Sequence, residues 1–291
     1  MATYDPSQTG NYYILGDSQT EAVHLIEQDR NFTKSMGGLL PEQSEQVIAG
    51  LHHVLDLACG PGGWVLEMAQ AYPHLQVTGL DISPSMIAYA RVQAQAGGLD
   101  NAHFTVDNLT TLPLPFPDAS FDLVNTRHIE EVIPAASFPP LVQEMVRITR
   151  PGGTIRMTGS EWGVTTSAAY EQLMVLLLQA AQRVELNLSA DGRNLGVSPW
   201  LHRLLHDAGC LNIQERASFL DFSAGAEQQQ SGYQDLTVAF ALMNPFLTGV
   251  GVTTQDEFER LYQQLTLEMS EERFCGLVYT LTVWGQKPQA R

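Results

Sequence analysis

The sequence predicts an α/β protein built on a parallel, doubly wound sheet that carries helical insertions. Three observations predict it. Short apolar runs alternate with helical patterns five times between residues 54 and 158, which is the signature of βα units. The first run ends in Asp56 and then in the turn Cys59-Gly60-Pro61-Gly62-Gly63-Trp64, which opens a helix. Apolar residues make up 44% of the 291 and charged ones 16%, a core-forming balance rather than that of a disordered chain.

The elements follow in order. Residues 54–58 form the first strand, and after the glycine turn Val65, Leu66, Met68 and Ala69 lie at helical spacing over 63–72. Residues 76–81 form the second strand. Ser83 caps the next helix, Pro84 sits in its first turn, and the pattern runs to about residue 96. Strands follow at 102–106 and 121–125, a helix at 134–148, and the turn Arg150-Pro151-Gly152-Gly153 leads into a strand at 154–158. Beyond it the spacing predicts helices at 168–188, 199–208, 234–247 and 255–269, with strands at 212–222 and 274–284. The Gln-rich patch 227–232 reads as an exposed loop. Residues 1–50, with a helix at 20–31, read as an N-terminal lid; residues 51–291 form the main domain, with helical insertions at about 161–197 and 223–272 lying over the ligand-binding edge of the sheet.

Charge and cysteine usage narrow the partners. A formal net charge of −17 argues against a phosphate-neutralising surface, so nucleic acid and anionic membranes are not expected to bind. Three widely spaced cysteines, Cys59, Cys210 and Cys275, with no secretory pattern at the start, read as a reduced cytoplasmic protein. No apolar run reaches the roughly 18 residues of a membrane span; the longest, 173–181, is interrupted by Gln179. His202 and His206 lie four apart on a helix, but Leu201, Leu204, Leu205 and Ala208 form its apolar side and no other ligand pattern accompanies them, so no metal is expected.

The glycine turn fits a nucleotide-like cofactor, because Gly60 and Gly62 let the backbone turn tightly and approach a ligand at a helix N-terminus. A dinucleotide fingerprint would place its third glycine at position 65, which is Val65, a bulky residue where close helix–strand packing wants a small one. Asp81, at the end of the second strand, does not separate the two cofactor classes, since an acid there takes ribose hydroxyls in either.

Five segments in order carry a resemblance: Leu55-Asp56-Leu57-Ala58-Cys59-Gly60-Pro61-Gly62, Gly79-Leu80-Asp81-Ile82-Ser83, Asp107-Asn108, Phe121-Asp122-Leu123-Val124 and Arg150-Pro151-Gly152-Gly153-Thr154. Together they resemble the class I S-adenosylmethionine-dependent methyltransferases. The resemblance covers residues 54–158 and, more loosely, the C-terminal strand pair. It implies a Rossmann-like sheet of seven strands, mostly parallel, whose last strand, 274–284, is antiparallel. It implies S-adenosylmethionine as cofactor and methyl transfer as the reaction. Gly60 and Gly62 would then lie against the methionine part, Asp56 would face its amino group, and Asp81 would accept both ribose hydroxyls. Ile82 would pack on the adenine, Asp107 and Asn108 would read its edge, and Asn125 and Thr126 would border the methyl group. Asp56 and Asp107 also have plain readings as turn formers, and Asp81 as a helix cap.

Catalytic candidates follow the fourth strand in Arg127-His128-Ile129-Glu130-Glu131. His128 either takes a proton from the acceptor or only lines the pocket; Arg127 pairs with the cofactor carboxylate or with Glu130. Tyr13, in Tyr12-Tyr13-Ile14, either lays its ring over the sulfonium or packs in the surface. Glu161-Trp162 shapes the pocket or lies in an exposed loop. The insertion residues Phe240, Leu242, Met243, Phe246, Phe258, Leu261 and Tyr262 read mostly as core; any that line the cavity would make the acceptor a small, apolar or aromatic molecule. A nicotinamide-dependent oxidoreductase and a non-catalytic cofactor-binding regulator are the two alternatives.

Overall fold

The computed structural model describes residues 19–289. Eight strands form one sheet: β1 (His53–Leu57), β2 (Gln76–Asp81), β3 (Ala102–Val106), β4 (Phe121–Arg127), β5 (Thr149–Ser160), β6 (Val164–Thr165), β7 (Leu211–Asp221) and β8 (Gly276–Gln286). The order is β3-β2-β1-β4-β5-β8-β6, with β7 on the other edge of β8. β1 to β5 pair in parallel and β8 is antiparallel to β5, β6 and β7. The seven-strand expectation gains the two-residue β6, which pairs with the start of β8 beside β5.

Helices cover both faces. α1 (Gln19–Met36) and α2 (Glu45–Ala49) precede β1; α3 (Gly63–Ala71) and α4 (Pro84–Gly97) follow β1 and β2; α5 (Phe138–Ile148) precedes β5. Next come α6 (Ala168–Arg183), α7 (Ser198–Asp207), α8 (Gln229–Gly249) and α9 (Gln255–Glu268). Alternation along β1 puts Leu55 and Leu57 in the core shared with α5 and α7, and Val54 in the core shared with α3 and α4. Burial on both faces is what a central parallel strand requires, and it explains why β1 reads as a continuous apolar run. Asp56, on the Val54 face, is the exception.

A third core belongs to α1, α6, α8 and α9, and contains Phe240, Met243, Phe246, Phe258 and Leu261. Here the local reading needed correction. α8 begins at Gln229, so most of the Gln-rich patch is helical; Gly232 is buried, and a Cβ on it would meet Phe222 Cβ at 2.3 Å. α6 stops at Arg183 because Glu185 adopts φ 60°. The helix before β5 starts at Phe138, after a 3-10 turn at Ala135–Ser137, since Pro139 and Pro140 fit its first turn. β5 begins at Thr149, and Arg150–Gly153 is a bulge within it, with Gly152 at φ 79°. Among the described residues, no helix is long and apolar enough to cross a membrane.

Strand order reverses between β1 and β4, since the chain lays down β1, β2 and β3 outward and then returns to β4. Open α/β sheets bind ligands outside the carboxyl ends of the strands at such a point.

Candidate active site

A cavity opens at that switch point. One half is walled by the β1–α3 turn and the end of β2: Asp56, Cys59, Gly60, Gly63, Asp81 and Ile82, with Met86 of α4 and Asn108. The other half is walled by the ends of β4 and β5 and by the insertion helices: His128, Ser160, Glu161, Trp162, Tyr170, Asp235 and Leu236. α1 closes the top with Leu25, Gln28, Asp29 and Phe32.

The glycine turn is shaped by positive φ at Ala58 (56°), Gly60 (53°) and Gly62 (85°). Asp81 holds it to β2: its Oδ2 accepts the Gly60 N–H and its Oδ1 the Ser83 N–H, each at 2.9 Å. Asp81 therefore braces the glycine turn against the start of α4, whose cap is Ser83. Ser83 Oγ accepts the Met86 N–H at 3.0 Å, starting α4.

Asp56 lies beneath this turn, 4% exposed. Register places Asp56, Asn125 and Arg156 side by side on β1, β4 and β5. Asn125 Nδ2 donates to Asp56 Oδ1 at 2.7 Å, Arg156 Nη1 donates to Asn125 Oδ1 at 2.8 Å, and Arg156 Nε donates to Glu42 Oε1 at 2.8 Å. Burial pushes the Asp56 carboxyl up to about 7, although Arg127 and the Asn125 hydrogen bond pull it down. Burial, with Asp81 and Asp56 nearby, also pushes the Cys59 thiol well up, so it is an inert filler of the turn.

Of the sequence candidates, Asp56, Gly60, Asp81, Ile82, Asn108 and His128 reach the cavity wall. Gly62, Asp107, Asn125 and Thr126 are not among the residues that line it. Gly62 faces the core, where a Cβ would lie 2.7 Å from the Phe104 ring and 2.9 Å from Ala90. Asp107 turns its Oδ1 back to the Asn108 N–H at 2.7 Å. Asn125 is spent on Asp56 and Arg156, and Thr126 Oγ1 donates to the Leu57 carbonyl at 3.2 Å. Tyr13 lies outside the described residues.

Arg127 lines the cavity and turns to α1 rather than to Glu130. It reaches across to α1, bonding Asp29 and Thr33 Oγ1, with its guanidinium 5.7 Å from the Trp64 ring centroid. The seven insertion residues pack in or against the third core, as their spacing suggested, and none of them lines the cavity, which instead uses the neighbouring α8 residues Asp235, Leu236 and Ala239. Glu161 and Trp162 both line it, and Glu161 accepts the Gly196 and Ser198 N–H groups at 2.9 and 3.1 Å. Pocket residues on α1 carried no sequence signal beyond the helix itself.

His128 adopts φ 54° and stacks on Phe32, ring centroids 4.5 Å apart. Glu130, 3% exposed, accepts the Ser160 N–H at 2.8 Å and the Ser160 hydroxyl at 3.2 Å. That hydroxyl in turn lies 3.3 Å from His128 Nδ1, where it accepts if Nδ1 carries the ring proton. This network assigns the Nδ1–H tautomer and leaves Nε2, buried and without a partner among the described residues, with its lone pair free.

The sheet is Rossmann-like, and residues 54–153 match the family described as methyltransferase domain. Ajmaline N-methyltransferase of Rauvolfia serpentina is 32% identical over 153 residues, 52% of this chain and 47% of that protein. Demethylmenaquinone methyltransferase of Geobacillus kaustophilus is 36% identical over 100 residues, 34% of this chain and 41% of that protein. The chain thus spans less than half the length of these curated relatives. The solved phosphoethanolamine N-methyltransferase 2 of Haemonchus contortus shares the fold, with 16% identity and a TM-score of 0.54 over 93% of this chain and 57% of that one.

Proposed function

We propose that the protein transfers a methyl group from S-adenosylmethionine to a small-molecule acceptor. The observation that carries this reading is the convergence of the Gly60 turn, Asp56 and Asp81 on one cavity at the switch point. The donor set suits the cofactor: an acid deep in the turn for the ammonium, a fixed carboxylate at the lip for a ribose diol, and Ile82 and Met86 as an apolar platform for adenine. Asn108 would sit at the base edge. The domain match at residues 54–153 supports the same cofactor, and Val65, fully buried in the core, speaks against the dinucleotide alternative. Residues 51–291 are taken as the catalytic domain, with insertions at about 161–197 and 223–272, and residues 1–50 as its lid.

The bound sulfonium would supply an activated methyl group, so most of the catalysis falls to positioning, which contributes about 7–11 kcal/mol in favourable cases. The chain's part is to hold and exclude water. Phe32, Trp162, Tyr170 and Leu236 would orient the acceptor in a low-dielectric space, and Gly60 and Asp81 would fix the donor. His128 would receive at Nε2 the proton that an O–H or N–H acceptor releases, with Ser160 and Glu130 keeping the ring in the receptive tautomer. Calorimetric titration with S-adenosylhomocysteine and with NAD tests the reading; binding of the first alone is expected, and heat from NAD alone would overturn it.

A further inference from the structure

The acceptor half of the cavity has a charge pattern that specifies more than an apolar ligand. Its walls carry the carboxylates of Asp235 and Glu161 beside three aromatic side chains, Phe32, Trp162 and Tyr170. Among the described residues, Arg127 is the one lysine or arginine lining the whole cavity, and it is committed to Asp29.

The two carboxylates differ in availability. Both Glu161 oxygens are occupied by backbone N–H groups. Asp235 Oδ1 accepts from His24 Nε2 at 2.9 Å, while Oδ2 makes no hydrogen bond among the described residues. His24 bridges the two acids, with Nδ1 3.1 Å from Glu21 Oε2 and Nε2 2.9 Å from Asp235 Oδ1. Asp235 also lines a second, smaller cavity between α1 and α8 that shares Phe32 and Leu236 with the first, so the residue borders both.

Two buried polar atoms in the same half, Trp162 Nε1 and His128 Nε2, have no partner among the described residues. Buried unpaired polar atoms cost about 1–3 kcal/mol each, and a ligand that bonds them removes that cost. Their presence marks this half as built for a polar-tipped ligand.

We infer that the acceptor is a small molecule with an apolar or aromatic body and a protonated amine, anchored by Asp235 Oδ2 among the rings of Phe32, Trp162 and Tyr170. A carboxylate in a partly dry site and aromatic faces both favour a cation. A phosphate or carboxylate acceptor would meet acids there and no uncommitted lysine or arginine. This inference rests on the methyltransferase reading and names its substrate class.

The test uses protein saturated with S-adenosylhomocysteine and matched probes: phenethylamine, 2-phenylethanol and 3-phenylpropionate, together with the corresponding trios on naphthalene and indole bodies. Binding is followed by ligand-observed NMR. The amines should bind about tenfold or more tighter than the alcohols, the scale of a hydrogen bond to a charged group, and the carboxylates least. Asp235→Asn should erase the preference, with affinity for S-adenosylhomocysteine unchanged. His24→Gln severs the same tie between α1 and α8 but keeps the carboxylate, and should keep the preference. Equal or better binding of the carboxylates, no amine bound at millimolar concentration, or a preference that survives Asp235→Asn overturns the inference. Failure of S-adenosylhomocysteine itself to bind would instead strike the methyltransferase reading.

Discussion

Asn125 donates its side-chain N–H to Asp56 Oδ1 at 2.7 Å, across the β1–β4 ladder in which the two residues are direct partners. Asp56 lines the cavity, and Asn125 holds it from behind. It fixes the carboxylate on which the site's charge depends, and the first prediction concerns that carboxylate.

Burial raises Asp56 from 3.8 to about 7, so the folded protein keeps a proton that the unfolded chain releases. The sign follows: this contribution to stability is fully present below 3.8 and is lost as pH rises through 7. Asp56→Asn, neutral throughout, should show a flatter decline of stability across that window, the difference being at most about 1.4 kcal/mol per pH unit. Denaturant unfolding at several pH values checks it, and parallel profiles would refute it. An ammonium placed beside Asp56 favours its charged form, so binding of S-adenosylhomocysteine near pH 6.5 should release protons, measurable by calorimetry in buffers of different ionisation enthalpy.

Asp81 bridges Gly60 and Ser83 at the lip of the cavity. Asp81→Ala should weaken binding of S-adenosylhomocysteine by about 1.5–3 kcal/mol, the scale of a hydrogen bond involving a charged group. Unchanged affinity in calorimetry would remove Asp81 from the ribose role.

Gly60 and Gly62 should separate. A Cβ at Gly60 meets only Leu25 Cδ1, at 3.5 Å, whereas one at Gly62 collides with Phe104 and Ala90. Gly62→Ala should therefore lower stability by about 1–3 kcal/mol, and more than Gly60→Ala does. Gly60→Ala should act chiefly on cofactor affinity. Thermal melts and titrations of the two variants would expose the reverse pattern if the assignment were wrong.

Arg156 is fully buried and its Nε donates to Glu42, whose side chain is 1% exposed. Glu42→Ala strands the guanidinium and should cost about 3–5 kcal/mol, while Glu42→Leu combined with Arg156→Met should recover most of the loss. Urea unfolding of the single and double variants decides; an additive result counts against the pairing.

Burial alone would push the His24 imidazole down, but its hydrogen bonds to Asp235 and Glu21 outweigh that and hold it at about 10. Its contribution is fully present below 6.5 and is lost as pH rises through 10. His24→Gln should flatten the fall in stability over that window, again by at most about 1.4 kcal/mol per pH unit. Melting temperatures between pH 7 and 10 read it directly.

Much of the frame was legible because its signals are local. Residues 76–81 and 102–106 are strands at their predicted bounds, and the glycine turn and the Ser83 cap stand where their residue types require. The candidates that reached the cavity, Asp56, Gly60, Asp81, Ile82, Asn108 and His128, lie at or just beyond the carboxyl ends of β1 to β4, so knowing the strand ends was enough. Gly62, Asn125 and Thr126 missed it because a residue's place near a strand end does not say which way its side chain turns. The Gln-rich start of α8 reads as loop by composition, yet packing against Phe222 makes it helix.

The sequence by itself determined the alternation of strands and helices, the glycine turn and the acids that flank it, since each depends on residues within a few positions of one another. Only the tertiary structure decided what surrounds them. The row from Glu42 through Arg156 and Asn125 to Asp56 joins residues 114, 31 and 69 positions apart, and Arg127 finds Asp29 across 98. Strand register and helix docking set those meetings, and both are fixed by burial of apolar faces summed over the whole chain rather than by any local pattern.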